Sequence, residues 1–214
     1  MGVVKKQGIN NLIITYTGVI LGFISLMFVQ PHLLKPEELG LTRILLACAS
    51  LISTILPMGV TVITAKFFPH FRNEDKKHHG YLGFMLLFPF FGTILCGILI
   101  SVFKENIINQ YSSRSMLFVE YFELLLPLAI ILSLNMALTS YAASLFKTSM
   151  SAIFESVITR ILFIVLIVLY YFKWINLTQF IYMFVGIYLL QVITMFIYIY
   201  KIDNPTLYID KQHL

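Results

Sequence analysis

The chain has 214 residues, of which 59% are hydrophobic and only 12% charged, and its mean hydropathy is +0.88. A soluble domain is about 45–50% apolar and about 25% charged, so no soluble fold of this length hides that much apolar surface. The apolar residues come in long blocks rather than in alternation over about ten residues, which excludes a transmembrane β-barrel as well.

Six apolar blocks follow one another, at 11–29, 44–65, 81–103, 116–146, 151–172 and 175–200. Each approaches or exceeds the roughly 20 residues that cross a bilayer core as helix. Short loops join them, so neighbours are expected to pack antiparallel. The predicted fold is an all-α integral membrane protein, with residues 1–214 forming a single six-helix bundle embedded in membrane lipids. Lys5 and Lys6 before the first block resemble the start of a secretory signal. The apolar run is too long for one, and it ends in Val29-Gln30-Pro31-His32 without a small-x-small cleavage site, so it is read as a retained span.

The net charge of +5 is read as topology. Nine Lys and Arg fall on one set of flanks: Lys5, Lys6, Lys66, Arg72, Lys76, Lys77, Lys147, Lys201 and Lys211. Five fall on the other: Lys35, Arg43, Lys104, Arg114 and Lys173. The excess predicts that both termini and loop 66–80 face the cytoplasm. No basic run is interleaved with aromatics, so a nucleic-acid partner is not indicated.

Two stripes mark the first two spans. In the second, Arg43, Ala47, Ser50, Thr54, Pro57, Thr61 and Thr64 recur at alternating intervals of four and three, which is one face of a helix. In the first, Asn11, Thr15, Gly18, Gly22 and Ser25 repeat the pattern, and Gly18 and Gly22 form a G-x-x-x-G that admits another backbone. Paired stripes serve helix packing or the wall of an internal cleft, which makes Asn11, Thr15, Ser50 and Thr54 candidate substrate contacts. Pro57, Pro89 and Pro127 lie inside spans, and Pro57 with Gly59 predicts a bend in the second.

Ionisable residues inside the spans carry what chemistry there is. Arg160 sits halfway between Lys147 and Lys173, where a charge is costly and must face water or protein. It is read either as a cation meeting an anionic head group or as a residue that snorkels or pairs with Glu155. Glu120 and Glu123, three apart at the outer end of the fourth block, are candidates with Glu155 for ion coupling, or are merely solvated at the interface. Asn135, in a small-polar face with Ser133, Ala137, Ser140 and Ser144, serves as interhelical glue or as a cavity ligand. Arg43 stands at the mouth of its stripe, or pairs with Glu37 and Glu38.

An enzyme is not indicated. The three Asp, Asp75, Asp203 and Asp210, lie outside the apolar blocks. H-E-x-x-H, G-x-S-x-G and phosphate-binding glycine loops are missing from the sequence, so no cofactor is implied. His70, His78 and His79 lack a Cys or carboxylate at ligand spacing, and no metal site is expected. Cys48 and Cys96 read as small core residues.

Several segments together resemble the N-terminal part of bacterial polysaccharide-lipid flippases, within the multidrug/oligosaccharidyl-lipid/polysaccharide exporter superfamily. These are Gly8-Ile9-Asn10-Asn11, Leu34-Lys35-Pro36-Glu37-Glu38-Leu39-Gly40, Pro57-Met58-Gly59-Val60, Ala65-Lys66-Phe67-Phe68-Pro69, and Arg160. The resemblance spans about residues 5–172. It implies one six-helix lobe of a two-lobe transporter in the bacterial inner membrane. Such proteins move a lipid-pyrophosphate-linked glycan between leaflets by alternating access, with cleft cations, here Arg43 and Arg160, meeting the pyrophosphate. Family members have about twice as many spans, so the resemblance also implies a second six-helix lobe as partner. A half of a drug exporter and a non-transporting scaffold of envelope glycan assembly are the alternative functions.

Overall fold

The computed structural model describes residues 2–71, 80–112 and 115–203, and all regular structure among them is helical. Six helices are long and apolar enough to cross a membrane: Gly8–Leu33, Pro36–Ile55, Tyr81–Tyr111, Phe122–Ser144, Thr148–Tyr171 and Leu177–Asp203. The protein is therefore an all-α six-span bundle.

The first span is α1 (Gly2–Ile24), a π turn (Ser25–Val29) and α2 (Gln30–Leu33). It runs four residues past the predicted end at Val29, because Pro31 occupies the first turn of α2, where a missing N–H costs nothing. The second span opens with α3 (Pro36–Ile55), eight residues before the predicted start at 44. Two local devices admit its charged beginning. Pro36 stands at the first helical turn, and Glu38 accepts a hydrogen bond from the Lys35 N–H at 3.0 Å, satisfying a donor that the helix end leaves open. The other Glu38 oxygen accepts from the Tyr170 hydroxyl at 2.6 Å, tying the start of span two to the end of span five.

The bend expected at Pro57 is a full break. Residues 56–59 form turns, Met58 and Gly59 take positive φ of 49° and 79°, and α4 (Val60–Phe71) resumes beyond. Pro57 cannot donate to the helix, and i→i+3 bonds from Met58 N–H to Ile55 and from Val60 N–H to Pro57 replace the helical ladder. Gly92 on α5 (Tyr81–Ser112) lies against the Leu56 carbonyl, where a Cβ has no room. Ser140 donates to the Thr61 carbonyl at 2.9 Å.

The predicted block 116–146 is divided too. Helix α6 (Met116–Glu120) ends at Tyr121, a 3-10 turn spans Phe122–Leu124, and α7 (Leu125–Ser144) follows. The fifth span is α8 (Thr148–Ile153), a second π turn (Phe154–Ile158) and α9 (Thr159–Tyr171); the sixth is α10 (Leu177–Asp203).

Helix α7 is the axis of the bundle. In its most apolar stretch 44% of residues are buried, against 11% in the first span, and it packs on α3, α4, α5 and α10. One apolar cluster joins Leu41, Leu45, Leu128, Ile167 and Phe180. A second, beyond the break, joins Val60, Phe68, Met85, Leu138 and Met195 around the rings of Tyr81 and Tyr141. The first span packs against the fifth and leaves Leu12, Tyr16, Ile20 and Phe23 outward, as lipid contact requires.

Candidate functional site

Two polar constellations sit inside the spans, and span five carries both. The first is a recess of about 210 Å³ between spans one, two, five and six, with Arg43, Arg160, Gln30, Phe163, Phe184 and Tyr188 among its lining residues. It lies in the half of the bundle where spans one and five end and spans two and six begin. At 1.5 Å rise per residue, Arg43 is about 10 Å along from Pro36 and Arg160 about 16 Å back from Tyr171.

The sequence shows why Arg160 ends there. Gly18 and Gly22 strip side chains from one face of α1, so span five approaches its backbone directly. A Cβ on Gly18 meets the Ser156 carbonyl and side chain, and one on Gly22 meets the Arg160 guanidinium. Arg160 Nη1 donates to the Gly18 carbonyl. Arg160 therefore does not pair with Glu155. Neither Arg160 nor Arg43 has an ion-pair partner among the described residues, and Glu38 is held by Lys35 and Tyr170 instead of Arg43.

Both spans that meet at Arg160 carry a π turn beside it. Gln30 N–H bonds back to the Ser25 carbonyl and Thr159 N–H to the Phe154 carbonyl, each five residues away, as a π turn demands. Gln30 Nε2 also donates to Ser25 Oγ at 3.0 Å. Such turns cluster at functional sites because they re-aim side chains.

The second constellation joins spans four and five. Glu155 Oε1 accepts from Asn135 Nδ2 at 3.0 Å and from Thr139 Oγ1 at 3.1 Å. Asn135 is 9% exposed, and its Oδ1 is buried without a partner. Nearby, Thr159 Oγ1 donates to Gln191 Oε1 at 3.3 Å.

The remaining candidates divide. Asn11 donates to Thr148 Oγ1 at 2.7 Å, which pins the start of span one to span five. Together with Gly18 and Gly22 this assigns the first stripe to packing against span five, with Thr15 exposed beside it. The second stripe does not act as a unit. Ser50 and Thr54 are exposed and donate to the carbonyls of Ala47 and Leu51, whereas Thr64 beyond the break is buried and accepts from the Tyr81 hydroxyl at 3.1 Å. The expected shared wall of spans one and two is replaced by the recess, because the glycine face of α1 is filled by span five.

Glu120 and Glu123 do not share a helix face, since α6 ends between them at Tyr121. Both are exposed at the end of the bundle, and Glu123 lies 3.7 Å from Lys104, which is the interfacial reading. His78 and His79 lie outside the described residues; among those described, no group of three His, Cys, Asp or Glu is arranged to hold a metal. Sequence reasoning missed Gln30, Thr139 and the recess aromatics, which no local motif marks. Comparison with family models, curated proteins and solved structures finds no match to this chain.

Proposed function

We propose that this chain is the N-terminal lobe of a transporter that moves a lipid-pyrophosphate-linked glycan across a bacterial inner membrane by alternating access. The observation that carries the reading is the convergence of Arg43 and Arg160 on one recess without a carboxylate partner among the described residues. An arginine at the centre of a span costs about 2.5–3.5 kcal/mol to insert, and an anionic ligand offsets that cost. The volume bears on the kind of ligand. Drug-sized sites occupy about 300–1,000 Å³, so a recess of about 210 Å³ suits a phosphate-bearing head group presented by a lipid more than an enclosed drug. That weighs against the drug-exporter alternative. Two arginines without a carboxylate partner among the described residues also favour a ligand-binding role over a scaffold without transport.

On this reading the termini are cytoplasmic, the recess lies in the outer half of the membrane, and a second six-helix lobe covers the exposed hydroxyls of Ser50 and Thr54. Arg160→Ala and Arg43→Ala, each introduced into the intact gene, test it by surface glycan display. Each is expected to reduce export at unchanged protein level, Arg160→Ala more than tenfold, with partial retention in Arg160→Lys. Wild-type glycan display by Arg160→Ala together with Arg43→Ala overturns the proposal.

A further inference from the structure

The Glu155 cluster is separate from the arginine recess, and the proposed substrate contacts do not use it. Its chemistry is unusual in one respect. A carboxylate at membrane depth has no cation within ion-pair distance among the described residues, and both its neighbours donate to the same oxygen, Oε1. The titratable or charged residues with described side chains on the elements packed around it are Tyr16 on α1, Tyr141 on α7, and Arg160, Tyr170 and Tyr171 on α9, and no hydrogen bond or ion pair joins any of them to it. Glu155 is itself exposed at the surface of the bundle. Two donors aimed at the carboxylate disfavour a metal cation there, because a cation repels the N–H and O–H hydrogens.

The second observation is the stranded Asn135 Oδ1, an acceptor in a side chain nine-tenths buried, with no donor in reach. Leaving such an atom unpaired is costly. The amide's other atom, Nδ2, already bonds Glu155, so the carboxyl group lies beside the amide, and an ionised carboxylate has no hydrogen to give. A protonated one has.

We propose that Glu155 and Asn135 form a proton-binding acid–amide pair. A proton from water adds to Glu155 Oε2, forming one O–H bond and neutralising the carboxylate. That O–H donates to Asn135 Oδ1, while Asn135 Nδ2 continues to donate to Oε1, closing a two-bond ring in which every buried polar atom is paired. Deprotonation reopens the ring and leaves Oδ1 stranded. Span five, which also carries Arg160, is thereby coupled through Glu155 to the central helix α7 by two bonds in the ionised form, from Asn135 and Thr139, and by three in the protonated form.

The test is infrared difference spectroscopy of the purified full chain in lipid nanodiscs, titrated between acidic and alkaline pH. The expected result is a protonated-carboxyl carbonyl band that grows on acidification, vanishes in Glu155→Gln and moves to higher frequency in Asn135→Leu, which frees the carbonyl from its donor. Glu155→Gln imitates the protonated ring, since its amide both donates and accepts, so its melting temperature should equal or exceed that of wild type at alkaline pH. A band that persists in Glu155→Gln overturns the proposal, as does a melting temperature well below wild type in that variant. Replacing choline by sodium at fixed pH should leave the band unchanged; a band abolished by sodium in wild type replaces the proton with a sodium ion and also overturns it. These readouts involve no glycan, so they stand or fall apart from the export assay.

Discussion

Gly18 and Gly22 set the distance between spans one and five, and Arg160 depends on that distance. Its guanidinium occupies the space that a side chain at 22 would take and reaches the carbonyl of Gly18. Gly18→Val drives two methyl groups into the Ser156 backbone. The expected result is destabilisation of about 1–3 kcal/mol from overpacking, read as a lower melting temperature in detergent. Gly8, where an added Cβ would meet nothing within 4 Å, is the control, and Gly8→Ala should melt like wild type. Arg160 was legible in the sequence because a single cation in an apolar block is conspicuous. Its partner was not, since a G-x-x-x-G announces that some backbone comes close without saying which one. Asn135 and Glu155 are 20 residues apart, and only the packing of α7 on span five makes them neighbours.

The break in span two shows how an element can be read correctly and its consequences missed. Pro57 and Gly59 announce a bend, but the stripe from Arg43 to Thr64 assumes one continuous axis. Once the axis breaks, Ser50 and Thr54 face outward while Thr64 is buried against Tyr81. Backbone conformation holds the break, with Gly59 at φ 79°, where a residue with a Cβ costs roughly 1–2 kcal/mol. Gly59→Ala is accordingly expected to destabilise by about that amount, read from thermal unfolding. Gly92→Leu should cost more, because its side chain meets the Leu56 backbone instead of empty space. Helix ends, by contrast, were poorly legible. Residues 36–43 carry Glu37, Glu38 and Arg43 and read as loop by hydropathy, yet the Glu38 cap and the Tyr170 contact hold them in the helix.

For the whole molecule, the all-α six-span architecture follows from composition alone, whereas the centrality of α7 does not. Four of the other five spans are more apolar than the one it forms, and its burial is visible only once the other helices are placed around it. The proposed orientation is testable with single cysteines in a background lacking Cys48 and Cys96. A cysteine at Trp174, which is 75% exposed, should react with a membrane-impermeant maleimide in intact cells, and one at Lys147 only after permeabilisation. The reverse pattern inverts the topology and moves the arginine recess to the cytoplasmic half. The π turn at Phe154–Ile158 also bears on which changes in chain length the molecule tolerates. It fits five residues into the space of one turn, so it holds one residue more than an α-helix needs there. Deleting Val157 should relax the turn to ordinary α-helix and keep both halves of span five on their present faces. Deleting Val165, in regular helix, rotates everything between it and the Trp174 end by about 100° and turns Ile167 out of the core. Two single-residue deletions, eight positions apart, are thus expected to give one folded and one misfolded protein, distinguishable by size-exclusion profile and expression level.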